Sequence, residues 1–112
     1  MSSSWYNYIK FMGINRDTNS GYPNIPQPEI GDDETDIMAR TEQGIVYLNV
    51  DDISTVAVDV CRIMVPTGGE ANEVTELAIP VTVIVTKTQN AIFSFTPIDD
   101  IMDGIDAVVK EI

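Results

Sequence analysis

A chain of 112 residues with 44% apolar content is the size of one domain and can bury one compact core. Its 18 acidic and 6 basic residues give a net charge of −12, too few cations to displace counterions from nucleic-acid phosphates or to settle on an anionic membrane. No apolar run is long enough to cross a bilayer, and the lone Cys61, set among Val58, Val60, Ile63 and Val65, reads as a small core residue without a disulfide partner.

The first dozen residues are aromatic, with Trp5, Tyr6, Tyr8 and Phe11. Trp5, Tyr8, Ile9 and Met12 have helical spacing behind a serine cap, while the aromatic enrichment suits an extended strand equally; Gly13 ends either one. Met1–Trp5 has neither the basic region nor the continuous apolar stretch of a signal peptide, so export by that route is not expected.

Residues 13–43 read as an extended arm. Gly21, Pro23, Pro26, Pro28 and Gly31 punctuate it, and proline fixes φ and removes donors, so no regular element is expected across Tyr22–Pro28. The acidic run Asp32–Asp36 follows. Ile25, Ile30 and Ile37 are spaced as anchors that an extended arm could press into grooves. An unstructured stretch of this length is disordered or functional, for instance wrapped over a neighbouring subunit.

Residues 44–112 form the expected folded body. Ile45–Val50 reads as a strand, Asp51–Thr55 as a turn, and Val56–Val65 as a second strand with Val56, Val58, Val60 and Met64 on one side. Pro66-Thr67-Gly68-Gly69 breaks it, and a polar loop runs to Leu77. Val81–Thr88 is the most β-branched run, and Gln89-Asn90 turns it into Ala91–Phe95. At the end, Ile98, Ile101, Met102, Ile105, Val108, Val109 and Ile112 follow i, i+3, i+4, i+7 spacing on one helix face. Thr96 is placed to cap that helix, Pro97 takes its first position, and Asp99 and Asp100 complement the dipole. The expected fold is α+β, mainly β: an antiparallel meander or small barrel-like sheet with a C-terminal amphipathic helix and an extended N-terminal arm. With one helix assured, the sheet's other face must be solvated, covered by the N-terminal segment, or buried against another subunit.

Val46-Tyr47-Leu48-Asn49-Val50-Asp51-Asp52-Ile53, Val83–Thr86, Phe93 and Pro97–Ile105 together resemble a small β-rich family, the FlbD-like flagellar and swarming proteins and similar short proteins of phages. The resemblance covers the last two-thirds of the chain, interrupted by Arg62–Pro80. It implies a hairpin with a C-terminal helix, and supplies no catalytic residues.

Catalytic chemistry finds little support. Without histidine, the usual general base, metal ligand and triad orienter are missing. Lys10, Lys87 and Lys110 sit in no serine-activating motif. Asp51-Asp52 reads as turn chemistry and Asp99-Asp100 as a dipole complement. Asp17, Asn19 and Gly21 begin like a calcium loop, but Tyr22 and Pro28 occupy the positions that need Gly and Glu. Asp32, Glu34 and Asp36 alternate as a solvated linker does, and Gly68-Gly69 lacks the rest of a P-loop. No enzyme activity, cofactor or metal is expected.

Two classes remain. The first is a structural subunit, such as a phage virion component (capsid decoration, connector or tail protein), whose arm binds copies of itself or a capsid or tail protein through Trp5, Tyr8, Phe11, Ile25, Ile30 and Ile37. It would reside in a virion or the host cytoplasm, with neither membrane nor direct nucleic-acid contact. The alternative is an acidic phage-type inhibitor, a nucleic-acid mimic or ligand-sequestering oligomer, presenting Asp99, Asp100, Asp103 and Asp106.

Overall fold

The computed structural model describes residues 7–70 and 72–110. Strands β1 (Tyr8–Ile14), β2 (Gln43–Asn49), β3 (Ile53–Pro66), β4 (Val74–Thr86) and β5 (Ala91–Ser94) make it mainly β, with helices α1 (Glu34–Arg40) and α2 (Ile98–Lys110). All strand pairs are antiparallel, in two sheets of order β1-β2 and β3-β4-β5.

The aromatic N-terminal segment is a strand over its described part. Ile9 and Phe11 point inward, and β1 pairs with β2 along its whole length, from Tyr8 opposite Asn49 to Ile14 opposite Gln43. Gly13 does not end it. A Cβ there would lie 2.7 Å from a methyl of Val46, so glycine lets the backbones approach closely while the strand continues. Residues 8–14 thus belong to the folded body rather than to an arm.

The expected single meander is divided. A 3-10 turn at Val50–Asp52, in which the Asn49 side chain accepts from the Asp51 N–H, turns the chain out of β2. As a result β2 partners β1, and β3 begins a separate sheet. The two sheets and α2 enclose one core of Ile9, Phe11, Leu48, Ile84 and Ile101, with Val46, Ile53, Val56, Ile92, Ile105 and Val108 packed around it. On α2 the stripe is narrower than its spacing suggests: Ile101 is buried, whereas Met102 and Val109 stand exposed on its flanks.

From this body the β3–β4 hairpin projects. Its strands are 14 and 13 residues long, so β4 begins at Val74 and absorbs much of the expected polar loop. Gly68, at φ +83°, supplies a left-handed residue in its turn. Pro80 sits in mid-strand opposite Val60, whose N–H bonds to its neighbour Asp59 at 2.8 Å. That pair lacks ladder bonds, the position at which proline costs the sheet nothing. The hairpin stretches the molecule to 63 × 27 × 19 Å, with a radius of gyration of 16.6 Å. A compact chain of this length would have about 13 Å.

Residues 15–42 run out along this hairpin and back. Arg16 anchors the start by donating to the Ala91 carbonyl at 2.7 Å. Tyr22–Pro28 holds no helix or strand, as its prolines dictate; a lone bridge joins Arg16 to Pro23. Gly31 N–H donates to the Pro66 carbonyl, close to the hairpin's tip. The acidic run is expected to stay irregular, yet α1 starts within it at Glu34. Asp33 and Asp36 form a reciprocal capping box that meets the first free N–H groups, and Arg40 closes the last turn.

Candidate functional site: the two faces of the hairpin

Because β3 and β4 are antiparallel, directly opposed residues share a face. One face carries Asp59, Cys61, Ile63 and Val65 on β3 with Thr75, Leu77, Ile79, Val81 and Val83 on β4. The other carries Val58, Val60, Arg62, Met64 and Pro66 with Val74, Glu76, Ala78, Pro80 and Thr82. Both faces are largely apolar, and they are treated differently.

The first face is covered by the chain itself. Tyr22, Pro23 and Ile25 lie along Cys61, Ile63, Val81, Val83 and Phe93, flanking a cleft of about 460 Å³. Further out, α1 rests on β4 with Ile37 wholly buried, and Ile79, Val81 and Val65 are buried as well. Asp32 fixes the arm's turn into α1: both its oxygens accept from the Arg40 guanidinium, at 2.6 and 3.2 Å, and one accepts from the Glu29 N–H. The Arg40 hydrogen bonds, followed by that backbone bond, hold the Asp32 carboxyl below the usual carboxylate range. Burial, together with the nearby Asp59 charge, pushes the Cys61 thiol upward.

Beyond the body the second face is uncovered among the described residues. Val58 and Met64 are each 56% exposed, Val74 50% and Val60 40%, with Ala78 and Pro80 exposed between them. Its two charges cancel, since Arg62 donates to Glu76 at 2.8 Å. Towards the body this strip runs into a hollow of about 240 Å³ between Val58, Pro80 and Thr82 and the start of α2, where Phe95, Pro97 and Ile98 form the wall. Thr82 anchors that wall by donating to the Thr96 carbonyl at 2.7 Å. Strand β3 is also an edge of its sheet.

The residues expected to bind a partner fall in different places. Trp5 lies outside the described residues. Tyr8 is half-buried on β1, and Phe11 is core. Ile25 and Ile37 are brought together on the chain's own hairpin, so these two anchors seat in cis. Ile30 alone of the three arm isoleucines stays exposed, at 69%, with a methyl against Gly68. What residue-by-residue reasoning missed as a site is the strip of Val58, Val60, Met64 and Val74. Its signal was present: β3 is apolar on both faces, and a strand of that kind needs cover on both.

Among the described residues no group of His, Cys, Asp or Glu is arranged to hold a metal ion, and no helix is long and apolar enough to cross a membrane. No protein-family model matches this chain, and no curated protein or solved structure does.

Proposed function

We propose that this chain is a non-enzymatic structural subunit that builds into a larger protein assembly through the outer face of its hairpin. The class it fits is a virion component: a capsid decoration, connector or tail protein. One observation carries the reading. Val58, Val60, Met64 and Val74, with Ala78 and Pro80, form an exposed apolar strip crossed by the Arg62–Glu76 pair, on a projecting ribbon whose opposite face the chain's own arm covers in part. Exposed apolar surface gathered on one face of a chain of net charge −12 marks a contact site. In this reading the arm stiffens the ribbon, and it reaches a neighbour by moving Tyr22–Ile37 onto that neighbour's hairpin, an exchange of identical elements.

Rate-zonal sedimentation of lysate from cells that naturally make the chain tests this. The expected result is the chain in fast-sedimenting particles, with Met64→Asp left in the slow fractions. A wild-type chain found solely in the slow fractions, and blocking a nucleic-acid-binding protein in vitro, would replace this reading with the acidic inhibitor. The exposed Asp99, Asp103 and Asp106 of α2 would then be the surface to mutate.

A further inference from the structure

We infer that the occupant of the hairpin's outer face is a second copy of this chain, packed face to face about a twofold axis crossing the strands at the Arg62–Ala78 row. The inference rests on the assembly reading and names its first contact. Three features of the face select a copy over an unrelated partner.

The first is charge. A chain of net charge −12 repels its own copy over most of its surface. The outer face is an exception. Its two charges are Arg62 and Glu76, already paired, while Asp59 points to the covered side. Self-association is electrostatically cheapest at this strip. The antiparallel arrangement also sets the two acidic bodies at opposite ends of the paired ribbons.

The second is self-complementarity. Arg62 stands opposite Ala78, with Val60–Pro80 one row towards the body and Met64–Glu76 one row towards the tip. A twofold through the central row lays Met64 of each copy over the partner's Val60 and Pro80. It also brings Val74, near the tip, to the partner's hollow beside Phe95 and Ile98, filling an apolar concavity with an apolar side chain. The axis sets Arg62 of each copy opposite its counterpart, and each lies between its own Glu76 and the partner's, so that the two carboxylates offset the facing guanidiniums. Sheets packed in this way lie about 10 Å apart, a spacing that side chains of this size fill.

The third is area. The exposed parts of these side chains present on the order of 600 Å² per copy, so the pair buries on the order of 1,200 Å² in all, the lower end of specific interfaces. Pairing through the β3 edge alone would leave both apolar strips in water and join them into a larger patch.

Light scattering on the purified full chain at high micromolar concentration tests the inference, with circular dichroism confirming that each variant is folded. Wild type should have the mass of a dimer. Met64→Asp should halve that mass, while Ile45→Asp, on an exposed apolar residue of β2 away from the strip, should leave it unchanged. Arg62→Glu and Glu76→Arg should each be monomeric, because every cross-copy pair becomes repulsive. Mixed one to one they should form a heterodimer, since all cross-copy pairs are then attractive. A monomeric wild type, a Met64→Asp variant that keeps the wild-type mass, or a mixture of folded variants that stays monomeric would each overturn the inference. A wild-type monomer that still enters fast-sedimenting particles sinks the twofold contact and leaves the assembly reading standing. A dimer that never enters particles does the reverse.

Discussion

Ser94 Oγ donates to the Met12 carbonyl at 2.6 Å across 82 residues of sequence, and it also accepts from the Thr96 N–H at 3.0 Å. Ser94 is fully buried at the end of β5, and Met12 lies in β1. This hydroxyl therefore ties the two sheets to each other and fixes the corner from which α2 departs. Among the described residues the sheets share no ladder, so this hydroxyl adds a direct bond to the core that both of them pack against.

Replacing Ser94 with Ala leaves the Met12 carbonyl and the Thr96 N–H, both in part-buried bonds, without this partner. Urea unfolding of Ser94→Ala should show a loss of about 1–3 kcal/mol with an unchanged slope. A loss under about 0.5 kcal/mol, the range of an ordinary surface change, would mean that the sheets are joined by packing alone.

The arm's hold on the hairpin should depend on acid. The Arg40 hydrogen bonds, and then the Glu29 N–H, hold the Asp32 carboxyl below the ordinary carboxylate range. A depressed pKa contributes stability that is complete above the unfolded value, about pH 4, and is lost as pH falls through the lower folded value. Limited proteolysis between residues 20 and 42 should therefore stay slow down to about pH 4 and quicken below it. Asp32→Asn should be cut readily even at neutral pH. Equal cutting of wild type and Asp32→Asn at pH 7 would show that the ion pair does not secure the arm.

Those two regions also show what could be read from the residues beforehand. The strands and α2 follow from alternation and from the i, i+3, i+4 stripe, because burial of one face is a local pattern. The partition into two sheets does not, since it depends on Asn49 capping a single turn, and neither does the joint between them, which depends on Ser94 meeting Met12. Asp33 and Asp36 were legible as charge, but their capping geometry was hidden by the carboxylates around them. The outer strip was visible as Val56, Val58, Val60 and Met64 on one side of β3. Which face the arm would cover was not visible, because Ile25 and Ile37 find their seats through the length of the hairpin rather than through any local motif.

Cys61 reports on that cover. It lies on the arm's side of β3 beside Tyr22, Pro23 and Ile25, and both burial and the Asp59 charge push its thiol upward. Since the thiolate is the reactive form, alkylation by iodoacetamide at neutral pH should be slower than for free cysteine. Ile37→Asp, which forces a carboxylate into the fully buried seat of α1, should lift the arm and accelerate the reaction several-fold while the body stays folded. A rate already equal to that of free cysteine in the wild-type chain would mean that the arm leaves this face open.

The two faces of β4 and β3 should also differ in energetic weight. Ile79 is wholly buried on the covered face, so Ile79→Ala loses both transfer energy and packing, about 2–5 kcal/mol. Val58, more than half exposed on the outer face, touches little in a single copy, and Val58→Ala should change the stability of a dilute sample by no more than about 0.5 kcal/mol. Concentration then separates the two effects. A copy bound to the outer face stabilises the folded state by mass action, so wild-type stability should rise with protein concentration. Val58→Ala weakens that rise, whereas Ile79→Ala is destabilised by the same amount at every concentration at which it folds. Denaturation curves of wild type, Val58→Ala and Ile79→Ala at low and high micromolar protein measure all six values. If Val58→Ala costs as much as Ile79→Ala in the dilute sample, the outer face is already packed within one chain, and the strip on which the assembly reading stands does not exist.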